Sequence, residues 1–185
     1  MKTHLAAFLI LASASLSLGQ DAAVAESKLT ALRQLAIGKG TVQAEHIPSS
    51  TMKLADGKTL AGLPEHTVVK LLLHPAEGSN IRVEIWLPEA SKWNGRFIGL
   101  GNGGSAGSIN PGGLAAHCRS GYAVATTDMG TAPNSDSGIG NPEVWKDFGY
   151  RATHLMTKHG KEAARVFYGK SDRKSTRLNS SHTIQ

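Results

Sequence analysis

Glycine gathers in one stretch of this chain, Trp93-Asn94-Gly95-Arg96-Phe97-Ile98-Gly99-Leu100-Gly101-Asn102-Gly103-Gly104-Ser105-Ala106-Gly107. A short apolar strand over 96–100 runs directly into a turn with few side chains, so backbone N–H groups can come close to a ligand. Three readings fit such a turn. Gly99-x-Gly101-x-x-Gly104 matches the dinucleotide fingerprint, with Asp128 ending the next strand where a ribose-binding acid would sit. An oxyanion loop for acyl transfer needs the same bare backbone at a strand's carboxyl end. A loop that only needs tight turns would also collect glycine.

The surrounding pattern narrows the choice. Residues 67–73 are a strand candidate, 75–78 form a turn, and 80–87 alternate Ile81, Val83, Ile85 and Leu87 against Arg82, Glu84 and Trp86, which predicts an antiparallel hairpin. The strand over 96–100 is the third, residues 112–119 form a short helix, and 122–127 a fourth, buried strand. Residues 128–141 are a polar loop, after which Pro142 opens a long helical stretch. Upstream, Leu29, Leu32 and Leu35 give helical spacing over 26–37.

A hairpin followed by strand–helix–strand–helix is the opening of an α/β-hydrolase sheet, whose nucleophile follows the next strand on a sharp turn. Gly103-Gly104-Ser105-Ala106-Gly107 fits G-x-S-x-G by letter, but neither the sharp strand-to-helix turn nor a nearby base is implied around Ser105. The dinucleotide reading fits less well. Its last glycine belongs inside a helix, whereas residues 105–111 continue as loop, and its strand is normally the first of a parallel sheet.

The ends of the chain need separate treatment. Lys2 and His4 precede an apolar stretch over 5–16 and then small residues, which predicts an export signal over 1–25 with cleavage near 19 or 25. That stretch is too short to span a bilayer, so the expectation is a secreted or periplasmic protein without a membrane span. Residues 172–185 have no periodicity, and Asp172 to His182 reads as the in-frame translation of a sequencing-library adapter. The expected organisation is a signal over 1–25, the amino-terminal part of a hydrolase domain over 26–171 with its sheet incomplete, and a non-native tail over 172–185. Of the net charge of +6, Lys2 and the tail account for half, and the remaining +3 is scattered without a basic stripe. No nucleic-acid partner is expected. The single cysteine, Cys118, lies in a short apolar helix and reads as a packed thiol.

Four blocks then stand in a characteristic order: Trp93 to Phe97, Gly101 to Gly104, Gly121 to Gly130, and Asp147 to His154. With Phe167-Tyr168-Gly169 behind them, they resemble the tannase/feruloyl esterase family from Glu65 to about Ser171. The resemblance implies a secreted serine esterase acting on galloyl or feruloyl esters, as small molecules or on plant polymers. It implies an α/β-hydrolase fold with a large lid that often holds a structural calcium. It also implies a serine in Gly-Cys-Ser-x-Gly-Gly, an aspartate, a histidine, and a disulfide beside the serine and histidine. None of those residues is found here, so catalytic residues and metal ligands are expected in neither the fragment nor its tail. What transfers is the oxyanion loop: Gly103 and Gly104 would offer one backbone N–H.

Four other residues are read as support behind that loop. Asp128 precedes any serine, the wrong order for a triad acid in this fold, and is expected to cap the loop. Asp147, Arg151 and His154 share one face at helical spacing, which predicts an Asp–Arg pair with a neighbouring histidine. His46, His66, His74 and His117 form no ligand cluster in the sequence, and His154 and His159 are off the spacing of a helical metal pair. A carbohydrate-binding module using Trp86, Trp93 and Trp145 is a further reading, weakened by their falling in a hairpin, a loop and a helix.

Overall fold

The computed structural model describes residues 22–48, 50–53, 57–103, 107–170 and 174–178. The predicted export signal lies outside them except for 22–25, which open helix α1 over 22–33. Helix α1 therefore starts and stops four residues earlier than the leucine spacing predicts. Leu29 and Leu32 remain on its buried face, and Leu35 follows in the turn.

Six strands form one sheet: β1 (Gly40–Ile47), β4 (His66–Leu73), β5 (Ile81–Pro88), β7 (Ala123–Thr127), β6 (Arg96–Leu100) and β8 (Lys174–Leu178), in that spatial order. A separate hairpin joins β2 (Ser50–Lys53) to β3 (Thr59–Leu63). The predicted hairpin is β4–β5, antiparallel from His66↔Pro88 to Leu73↔Ile81. Strand β7 is antiparallel to β5 but parallel to β6. Helix α2 (Pro111–Arg119) makes the crossover between β6 and β7.

Alternation sorts the side chains onto two faces. Ile81, Val83, Ile85 and Leu87 join the α1 leucines, Phe97, Met156 and Phe167 in the larger core. Trp86, Val68, Ile98 and Val124 turn the other way, against Leu114, Ala115 and Cys118 of α2. The larger face is covered by a continuous helical run: α3 (Pro142–Lys146), a π-helical turn over Asp147–Arg151, and α4 (Ala152–Tyr168). Asn141 caps α3 through the Glu143 amide at 3.1 Å, and Gly169 ends α4 in the left-handed region at φ +65°.

Gly160 lets α4 lie close on the sheet. A Cβ at that position would meet the Phe97 ring at 2.5 Å, so any side chain would push the helix off β6. Gly99 plays the matching part on the strand, where a Cβ would stand 2.9 Å from Met156.

Two features of the sheet have no counterpart in the sequence pattern. Strands β1 to β3 were not foreseen: in β1 only Ala44 is buried, and its exposed alternation carries little hydrophobic signal. The segment over 172–185, read above as a non-native tail, contributes one described strand. Lys174–Leu178 pairs in parallel with Arg96–Leu100. Ladder pairing uses backbone N–H and C=O groups, so it does not require an apolar pattern.

Candidate functional site

The glycine loop leaves β6 at Leu100 and is tied at both ends to the carboxyl end of β7. The Asn102 side-chain amide donates to the Thr127 carbonyl, and the Gly107 N–H donates to the Asp128 carbonyl at 3.1 Å. Among the described residues nothing lies within 4 Å of a Cβ built at Gly103. Gly104 and Ser105 lie outside the described residues. Helix α2 starts only at Pro111, where the Asn110 side chain accepts from the Gly113 amide at 3.0 Å. Its N-terminus is thus separated from Gly99-x-Gly101-x-x-Gly104 by further loop, which is not dinucleotide-fingerprint geometry.

Asp128 is fully buried with both carboxylate oxygens engaged. Its Oδ1 accepts from the Arg82 amide at 2.9 Å and the Gly130 amide at 3.0 Å, while Oδ2 accepts from Arg82 Nε at 2.7 Å. The register of β5 on β7, with Val83 opposite Thr127, brings these distant residues together. Fully buried and bound to β5 in this way, Asp128 is not presented to a ribose. Met129 follows in the left-handed region at φ +61°, its amide bonded to the Thr127 hydroxyl at 3.2 Å.

A second buried carboxylate stands behind this turn. Asp147 Oδ2 accepts from the Ser79 hydroxyl at 2.5 Å, and its Oδ1 lies 3.2 Å from Arg151 Nη1 without hydrogen-bond alignment. Arg151 instead donates through Nη2 to Glu143 at 2.6 Å. Burial pushes the Asp147 carboxyl above its ordinary value, against the opposing pull of Ser79 and Arg151. Glu143 is held below its ordinary value by hydrogen bonds from Lys146 and Arg151. The expected Asp147–Arg151 pair is therefore present, but His154 does not join it and is exposed. The π turn adds a residue to that turn of helix and rotates position 154 away from the Asp147 face.

No nucleophile–base pair forms among the described residues. No histidine ring there is hydrogen-bonded to a serine hydroxyl: His66, His74 and His117 use Nδ1 on the carbonyls of Pro64, Ser79 and Gly113. Burial lowers the pKa of His66 and of His159. Burial pushes the Cys118 thiol up to about 12, which makes it a packing group rather than a thiolate. The tryptophans do not build a sugar platform. Trp86 is fully buried with Nε1 on Glu84 at 2.7 Å, Trp93 stacks on Tyr168 at 3.8 Å, and Trp145 is half exposed.

At the other end of the sheet, the fold makes a cluster that spacing along the chain did not show. His46, Glu65 and Glu89 bring their ligating atoms within 4.8 Å of one another. The set includes a nitrogen donor and does not present the all-oxygen cage that calcium takes, so it does not fit the structural calcium of a lid. Among the described residues no helix is long and apolar enough to cross a membrane.

A sequence model of the family described as "Tannase and feruloyl esterase" matches residues 67–181. A probable feruloyl esterase B-2 of Aspergillus flavus is 36% identical over 145 residues, covering 74% of this chain and 27% of that protein. An uncharacterized esterase of Xanthomonas campestris pv. campestris is 35% identical over 121 residues, covering 64% of this chain and 21% of that one. The crystal structure of feruloyl esterase B from Aspergillus oryzae superposes with a TM-score of 0.72 at 27% identity, over 82% of this chain and 32% of that one. The architecture is that of the α/β-hydrolase fold. The chain spans about a quarter of the length of the curated relatives it matches.

Proposed function

As the chain belongs to the tannase and feruloyl esterase family, we propose that it is the amino-terminal part of an exported serine esterase for phenolic-acid esters. In that reading residues 26–171 are the opening of the hydrolase domain, and the whole enzyme acts on galloyl or feruloyl esters, small or polymer-bound. The glycine loop is half of the oxyanion hole, with Gly103 and Gly104 supplying one backbone N–H to the tetrahedral intermediate. The second donor would follow the serine. Asp128, Asp147 and Arg151 hold the loop's base rather than touch substrate.

The observation that carries this reading is the anchoring of the loop. It leaves the carboxyl end of β6, beside parallel β7, and is tied to the Thr127 and Asp128 carbonyls. Anchors at Asn102 and Gly107 hold the two ends of the loop in place, and a preorganised donor needs less reorganisation when charge develops on the substrate oxygen. The 185-residue chain is inactive by itself, because its G-x-S-x-G match over 103–107 precedes β7, whereas the nucleophile of this fold follows a later strand, and no described histidine addresses a serine hydroxyl.

Two experiments test the reading. The purified chain, given a feruloyl or galloyl ester, should show no turnover above its Ser105→Ala variant; turnover above that control overturns the claim of incompleteness. A chimaera carrying residues 67–170 in place of the matching segment of the Aspergillus oryzae esterase should hydrolyse a feruloyl ester. Gly103→Pro or Gly104→Pro in it should then lower kcat by about 10²–10³ with KM little changed. Unchanged kcat in both variants would remove the loop from the oxyanion hole.

A further inference from the structure

We propose that His46, Glu65 and Glu89 form a binding site for a divalent transition cation at the end of the sheet opposite the glycine loop. The three donors come from separate elements whose relation is fixed by backbone pairing. His46 lies in β1 opposite Thr67 of β4, Glu65 is in the turn before β4, and Glu89 follows β5. The Glu89 amide donates to the Glu65 carbonyl at 3.3 Å, which sets the two acidic residues side by side. His46 Nε2 and Glu65 Oε1 stand 3.1 Å apart. Nitrogen and oxygen ligands at about 2.0–2.1 Å around a tetrahedral ion are separated by about 3.3 Å, so this pair already has the spacing of two ligands.

An ordinary surface ion pair accounts for His46 and Glu65 but not for Glu89. Glu89 is half-buried, and its carboxylate oxygen lies within 4.8 Å of the other two ligand atoms, close to a like charge. Among the described residues no lysine or arginine is ion-paired with it. Lys28, which lines the same cavity, has its ammonium 4.9 Å over the Phe167 ring. The cluster opens onto a cavity of about 380 Å³ whose wall includes Lys28, Leu29 and Phe167. That space leaves the remaining coordination positions to water or to an added ligand.

The donor chemistry selects the ion. One imidazole and two carboxylates suit zinc, cobalt or manganese, whereas calcium and magnesium take oxygen sets. A bound ion would neutralise the two carboxylates and join the edge strand β1 to the β4–β5 pair.

The test uses the full chain, stripped with chelator and titrated with zinc or cobalt chloride alone. Calorimetry should give one equivalent with saturation below about 100 μM, and the thermal midpoint should rise with zinc. Cobalt should add visible absorption of a low-symmetry site. Glu89→Gln and His46→Asn should each weaken binding about tenfold or more, with the metal-free midpoint unchanged for Glu89→Gln. His154→Ala, an exposed histidine elsewhere, should bind as the parent chain does. Absence of saturable binding overturns the proposal, and so does affinity that Glu89→Gln leaves unchanged. If His46→Asn lowers the metal-free midpoint, Glu89→Gln alone decides.

Discussion

Asp128 and Asp147 are both buried, both face an arginine, and stand on either side of Gly130, yet their surroundings differ. Asp128 accepts three aligned hydrogen bonds, two of them from backbone amides that cannot move away. Asp147 accepts one aligned bond, from Ser79, while its arginine turns to Glu143. Burial penalises a charged carboxylate unless donors replace the water it loses. The contrast teaches that donor alignment, rather than proximity to an arginine, makes a buried acid stabilising.

Substituting the acids gives the widest separation. Asp128→Asn should destabilise the chain by about 3 kcal/mol in urea denaturation at pH 7, because the new amide group faces other donors. Gly130→Ala acts on both acids at once. It forces an alanine to φ +72° and sets its Cβ 2.8 Å from that of Asp147, which should cost about 2 kcal/mol. Ser79→Ala should cost about 1 kcal/mol and move the Asp147 carboxyl further up, followed by its NMR titration.

Asp147→Asn should have the smallest effect, within about 1 kcal/mol of the parent at pH 7. Its signature is the pH dependence. With the folded value raised above 3.8, the native state binds the proton more tightly than the unfolded chain does. Stability from this group is therefore present below 3.8 and lost as pH rises through the raised value. The Asn variant should lack that decline. A large loss for Asp147→Asn at pH 7, equal to that of Asp128→Asn, would erase the contrast.

Much of this was legible in the chain and some was not, for identifiable reasons. Strands β4, β5, β6 and β7 and helix α2 announce themselves by alternation, apolar runs and turn residues, although the Asn110 cap and Pro111 start of α2 fall where the sequence pattern reads as loop. The Asp147–Arg151 pairing was readable from spacing, but the loss of His154 from that face was not, since a π turn has no sequence period of its own. Arg82 was visible only as the outward side of a strand; its place on Asp128 depends on the pairing of β5 with β7. The same holds for His46, Glu65 and Glu89, which strand pairing alone makes neighbours. The loop's glycines were conspicuous, but its anchors, Asn102 and the Thr127 and Asp128 carbonyls, required the fold.

Strand β7 is buried at every residue and is paired on both sides, antiparallel to β5 and parallel to β6. Its amide protons should be the last in the chain to exchange with deuterium, and the edge strands β1 and β8 should open first. Local opening then begins at the two margins and reaches the seam only with global unfolding. Because the glycine loop is tied to the last carbonyls of that seam, it is moored to the slowest-exchanging part of the sheet.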